Sequence, residues 1–215
     1  MRPPLVERLN LAGPAGDLEA LIETPVDEGA TGAPVRSFAV VCHPHPLHGG
    51  TLDNKVVWAL ARAFQQLGAP SIRFNFRGVG ASAGAYAAGV GETADALAVV
   101  AYGRSRWPQA GLWLAGFSFG GVVAVRAAGD AHPQRLVAVA PGITKIDVDR
   151  AAPPSCPWLI VQGDADEVVP AGAVLRWAHG LSPAPAVAVL SGASHFFHGR
   201  INELREAVLE FMQRA

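Results

Sequence analysis

From residue 37 onward, short apolar blocks alternate with longer segments of helical periodicity, and this alternation constrains the fold more than any other feature of the chain. The blocks at 37–42, 71–76, 112–116, 136–140, 158–161 and 186–190 read as strands. Helices are expected between and after them, at 54–68, 93–105, 119–129, 171–180 and 201–212. Blocks that are apolar throughout suit strands covered on both faces, and a helix between successive strands makes each connection a crossover. The pattern therefore predicts an α/β protein with a mostly parallel sheet and helices on both sides. Segments 5–11 and 18–24, separated by 12–17, predict an N-terminal hairpin. In the helix at 54–68, Val56, Leu60, Ala63, Phe64 and Leu67 share one face, with Asp53 expected as N-cap and Gly68 as the stop. Residues 28–34 are expected to form a surface loop. The unassigned stretches 77–92 and 141–157 are too short for a separate unit, so one domain over 1–215 without a large lid is expected.

Composition excludes several classes. The chain has 215 residues, half of them hydrophobic, and a formal net charge of −1 with acids and bases interspersed. Nothing in it reads as a nucleic-acid footprint or a polybasic membrane patch. No apolar run approaches the roughly 20 residues that span a bilayer. Glu7, Arg8 and Asn10 interrupt the N-terminal segment before any signal core. Cys42 and Cys156 lie in different apolar segments without a C-x-x-C spacing, which points to a reduced, cytoplasmic protein.

Within this frame one motif carries chemistry. Gly116-Phe117-Ser118-Phe119-Gly120 directly follows the apolar run 112–115 and opens a small, apolar helical stretch. A serine between two glycines at a strand-to-helix junction is the pattern of a nucleophile elbow, where the strained turn leaves room only for small residues two before and two after the serine. The pattern alone is weak in a chain with 24 glycines; its position strengthens it. Ligands of parallel sheets bind at the carboxyl ends of the strands, where Ser118 falls.

A serine hydroxyl needs a general base, and the base needs an orienting carboxylate. Residues 162–170 follow the strand at 158–161 and offer Asp164, Asp166 and Glu167. Asp166 is preferred, since Gly163 can form the turn while Val168 and Val169 pack behind it; the other two read as solvated or capping residues. Residues 191–198 follow the last strand and offer His195 and His198. His195 is preferred because Gly192 and Ala193 free its loop to reach the site, whereas His198 stands at a helix start.

Acyl transfer also needs donors for a developing oxyanion. One is expected to be the N–H of Phe119. The second is expected in His43-Pro44-His45-Pro46-Leu47-His48-Gly49-Gly50, where both prolines lack an N–H, leaving His45 first and Leu47 second. The three histidines also suggest a metal cluster, but no carboxylate or cysteine completes it at a convincing spacing, so neither metal nor cofactor is expected. The alternative has His43 hydrogen-bonded beneath the site and His48 exposed. Trp58, Trp107, Trp113, Trp158 and Trp177 read as core or interface residues, and Arg77 as a support for the neighbouring glycines. Phe196 and Phe197, beside the histidine, read as pocket wall or core.

Taken together, the elbow at 116–120, the acid loop at 163–170, the histidine loop at 192–197 and Arg77-Gly78-Val79-Gly80-Ala81-Ser82 resemble the α/β-hydrolase superfamily over nearly the whole chain. The HPHP run, followed by Gly49-Gly50-Thr51 and Asn54-Lys55-Val56, is similar to small lidless bacterial hydrolases related to dienelactone hydrolases and acylaminopeptidase-like enzymes. The resemblance implies a three-layer α/β/α sandwich, an eight-stranded sheet with its second strand antiparallel, no cap domain, and a triad of Ser118, Asp166 and His195. It implies hydrolysis of small ester or thioester substrates, with peptidase, acyltransferase or non-catalytic binding as alternatives. Phe117 and Phe119 depart from the commonest elbow and make the serine's surroundings apolar.

Overall fold

The computed structural model describes residues 3–26, 34–144 and 154–214. The loop expected at 28–34 lies outside the described residues except for Pro34, as does the middle of the stretch 141–157. Eight strands are described: β1 Leu5–Gly13, β2 Gly16–Thr24, β3 Ser37–Cys42, β4 Ser71–Phe74, β5 Gly111–Phe117, β6 Arg135–Val139, β7 Trp158–Gly163 and β8 Ala186–Leu190. The five α-helices among the described residues are α1 Lys55–Gln66, α2 Val90–Arg106, α3 Phe119–Ala131, α4 Ala171–His179 and α5 Ile201–Gln213.

The strands form one sheet in the order β1-β2-β4-β3-β5-β6-β7-β8. The β1–β2 and β2–β4 pairs are antiparallel, and the remaining neighbours are parallel. The second strand is thus the one that runs against the rest, as in the α/β-hydrolase fold. The hairpin is tighter than the spacing suggests, with its strands running on to Gly13 and Gly16.

Strand alternation divides the core into two layers. Phe38, Val40 and Cys42 face one cluster with Val99, Val122 and Val174, while Ala39 and Val41 face another with Val56, Phe64 and Leu204. Helices α2, α3 and α4 thus cover one face, and α1 and α5 the other. Every residue of β7 and all but the first of β3 are buried, which is why these blocks read as continuous apolar runs. Each fully buried Val, Leu or Phe side chain contributes about 1.5–3 kcal/mol.

Two local expectations are corrected. The N-cap of α1 is Asn54, whose Oδ1 accepts from the N–H groups of Val56 and Val57; the Asp53 carboxylate instead lies 3.4 Å from Arg73. Helix α2 begins at Val90 rather than 93, because the buried Glu92 carboxylate accepts from the N–H groups of Ala87 and Gly89 and secures the turn that opens it. Arg77 forms a two-pronged ion pair with the buried Asp95, tying the glycine-containing loop to α2. Among the described residues no helix is long and apolar enough to cross a membrane. Both cysteines are free thiols.

Candidate active site

Strand order assembles the site. β3 and β5 are neighbours in register, with Cys42 opposite Gly116, so the loop after Cys42 emerges beside the turn after Phe117. β6 separates β5 from β7 and β8, whose loops rise on the other side. All the candidate site residues therefore gather at one sheet edge.

Ser118 occupies a strained turn, with φ 54° and ψ −114°. Such a conformation costs a non-glycine residue about 1–3 kcal/mol and persists only when its surroundings enforce it. A Cβ on Gly116 would lie 2.0 Å from the carbonyl oxygen of Gly120, and one on Gly120 would lie 2.4 Å from the carbonyl oxygens of Cys42 and His43. Backbone thus passes where side chains would be, which explains the glycine at each place. Phe117 and Phe119 point to opposite faces of the sheet: Phe117 packs on the His195 ring at 5.0 Å, and Phe119 on Phe76 and the His45 ring.

The Ser118 Oγ lies 3.0 Å from His195 Nε2, and His195 Nδ1 lies 2.8 Å from Asp166 Oδ2. Burial pulls the Asp166 carboxyl upward, but hydrogen bonds from His195, Val169 and Val168 outweigh it and hold the group below the usual carboxylate range. The ionised Asp166 accepts from Nδ1–H, which leaves Nε2 as the acceptor facing Ser118. Asp166 Oδ1 also accepts from the Val168 and Val169 N–H groups at 2.9 and 2.7 Å, and the buried Gln162 amide donates to Oδ2 at 2.9 Å.

The competing residues have other roles. Asp164 accepts from the Gly192 N–H at 2.6 Å and Glu167 from the His195 N–H at 3.1 Å, so both brace the histidine loop against the acid loop. His198 is exposed and stacks on Phe196; α5 starts at Ile201 without a side-chain cap. Phe197 is fully buried, whereas Phe196 is 42% exposed and lines the cavity. Bracing by Asp164, Glu167 and Gln162 left no sequence signal beyond position in the same loop, and Tyr86, which contacts His45, lies in a stretch without periodicity.

Across the serine stands the HPHP loop. His43 is fully buried; its Nδ1 lies 2.6 Å from the Pro44 carbonyl oxygen and its Nε2 accepts from the Phe76 N–H at 3.0 Å. Burial pushes its pKa down to about 4, opposed by the bond to Pro44. Burial and the neighbouring His48 also lower the pKa of His45, with Glu92 acting the other way. The Leu47 N–H donates to His45 Nδ1 at 3.2 Å, whereas the hydrogen bonds of the described residues make no use of the His45 N–H. His48 is exposed, and among the described residues no three His, Cys, Asp or Glu side chains are grouped as metal ligands.

A cavity of about 630 Å³ opens between the two loops, with Ser118 and His195 in its wall beside His45, Phe119, Val168 and Phe196. Its lining combines a few polar side chains with apolar ones, the usual make-up of a small-molecule site.

Known proteins share this architecture. A lidless α/β serine hydrolase from Xanthomonas campestris is 40% identical and superimposes with a TM-score of 0.91, covering 100% of this chain and 96% of its own. An α/β serine hydrolase homologue from Coxiella burnetii is 44% identical with a TM-score of 0.88, over 95% and 96% of the two chains. An uncharacterised Rickettsia prowazekii protein is 33% identical over 191 residues, 84% of this chain and 80% of that protein. Residues 45–154, from the HPHP loop past the elbow, match the family model described as serine aminopeptidase, S33. By fold and by sequence, the chain belongs to that hydrolase family, on its small, lidless α/β-hydrolase side.

Proposed function

We propose that this protein is a serine esterase that cleaves small ester or thioester substrates through an acyl-enzyme. The observation that carries the reading is the continuous chain Ser118 Oγ, His195, Asp166, at 3.0 and 2.8 Å. In this reading Ser118 attacks the substrate carbonyl and passes its proton to His195 Nε2. Asp166 keeps the proton on Nδ1 and stabilises the imidazolium. The oxyanion accepts hydrogen bonds from the N–H groups of Phe119 and His45. Phe119 is the first residue of α3, so its N–H lies outside the helix ladder, at the positive end of the helix dipole. His45 is preferred to Leu47, whose N–H is already engaged by the His45 ring. His195 then protonates the departing alcohol or thiol, and water activated by the same imidazole releases the acid.

Hydrolysis of p-nitrophenyl acetate and butyrate, measured beside Ser118→Ala, tests the triad. Loss of at least about 10³-fold in the variant is expected, together with loss of fluorophosphonate labelling; equal rates in both proteins sink the reading. The family's description favours peptide-bond cleavage as the second reading. Competition between an acyl-peptide and an ester substrate separates the two: a preference for the peptide amide overturns the esterase assignment while leaving the triad. The substrate is a small molecule, and a single domain over 1–215 acting in the cytoplasm completes the proposal.

A further inference from the structure

The buried His43 is left over by this chemistry. It touches neither the serine nor the cavity wall, yet both its ring nitrogens are bonded to main chain. A backbone N–H and the preceding carbonyl lie on opposite sides of one rigid, planar unit. Whatever fixes the Pro44 carbonyl therefore fixes the direction of the His45 N–H. The group on that carbonyl is His43 Nδ1, at 2.6 Å.

We infer that His43 is a positioning residue: its Nδ1–H, donated to the Pro44 carbonyl oxygen, sets the Pro44–His45 peptide plane so that the His45 N–H faces the acyl oxygen on Ser118. The inference rests on the oxyanion assignment above and extends it to the group that orients the donor.

Five further observations support it. The ring is itself anchored, because Nε2 accepts from the Phe76 N–H just past the end of β4; one neutral tautomer satisfies both bonds. The Phe76 ring packs against it at 4.6 Å. Pro44 and Pro46 lack N–H groups, so neither offers a competing donor, and each restricts the preceding histidine to extended conformations, as the His45 values φ −54° and ψ 122° show. The far side of the loop is locked as well: the His45 carbonyl accepts from the N–H groups of His48 and Gly50 at 3.0 and 3.1 Å. A Cβ at Gly50 would lie 2.1 Å from the Pro44 oxygen, so backbone closes over the same carbonyl. A peptide held at this many points enters the reaction without reorganisation, which is what oxyanion stabilisation requires.

Three substitutions separate aiming the donor from filling space. His43→Leu removes both bonds, and His43→Gln reaches Phe76 N–H while losing the donor to Pro44. Each is expected to lower kcat about 10²-fold, the effect of losing one oxyanion donor, with KM changed by less than about threefold. His43→Asn places an amide N–H where Nδ1 stood and is expected to recover most of that loss. Affinity for a trifluoromethyl ketone analogue of the substrate should fall in proportion to kcat/KM across the series. In the wild-type protein, ¹⁵N-histidine NMR is expected to show His43 protonated at Nδ1 and bare at Nε2. Folded Leu and Gln variants with wild-type kcat overturn the proposal, as does the opposite tautomer, which is readable even if every variant fails to fold. Loss of activity in Ser118→Ala alongside a fully active His43→Leu would leave the esterase reading standing and remove this one.

Discussion

The loop on the C-terminal side of Ser118 is held by a charge, whereas the loop on its N-terminal side is held by the absence of one. Asp166 is ionised and collects four hydrogen bonds, from His195, Gln162, Val168 and Val169. Its neighbours Asp164 and Glu167 reach across to Gly192 and His195, so carboxylates bind the acid loop to the histidine loop. The HPHP loop contains no acid and depends on neutral imidazoles accepting from backbone N–H groups: His43 from Phe76 and His45 from Leu47. Protonation removes the acceptor in both cases. Two loops a few ångströms apart thus fail for opposite reasons on acidification, one by losing a negative charge and the other by gaining a positive one.

The largest effect is expected on the charged side. Asp166→Asn preserves shape but favours the wrong tautomer of His195, and kcat for p-nitrophenyl butyrate should fall by about 10⁴-fold; a loss under tenfold would move the role of orienting acid elsewhere.

The next effect concerns pH and the neutral side. His43 titrates near 6.5 when unfolded and near 4 when folded, so the unfolded chain binds more protons between those values. Its contribution to stability is complete above pH 6.5 and disappears as pH falls through 4. On the order of 3 kcal/mol should be lost across that window in urea titrations, and His43→Gln should flatten the slope. The depressed Asp166 carboxyl acts lower down, its stabilisation being present above the ordinary carboxylate pKa of 3.8 and lost below it. A wild-type curve flat between pH 6.5 and 4 would break the comparison, since the HPHP loop would then tolerate a charge.

The smallest effect separates brace from base. Glu167→Ala removes an exposed acceptor worth about 1 kcal/mol at most, and kcat should fall no more than about fivefold while fluorophosphonate labelling of Ser118 persists. A loss comparable to Asp166→Asn would mean that the histidine loop depends on Glu167 for more than support.

Legibility followed the range of the interaction. The elbow was readable because its demands are local: Gly116 and Gly120 are small for reasons that lie within a few residues of Ser118 and along the neighbouring strand. The strands were readable because burial on both faces leaves unbroken apolar runs. The start of α2 is not legible in the sequence, because its support comes from Glu92 bonding backward to Ala87 and Gly89, a pairing that apolar periodicity does not record. Asp53 and Asn54 are equally good caps by type, and only Arg73, folded over from β4, draws Asp53 away.

By itself, then, the amino-acid order determined the alternation of strands and helices, the turn that carries Ser118 and the supply of a carboxylate and a histidine after later strands. These follow from apolar periodicity, glycine sterics and chain order, each read within a short window. The tertiary structure decided which of three acids meets His195, leaves the His45 N–H without a partner among the described residues while engaging that of Leu47, and turns His43 toward Pro44. Those choices depend on distances between loops that lie far apart in sequence and meet only when the sheet brings its strand ends together, with Ser118 and His195 77 residues apart along the chain.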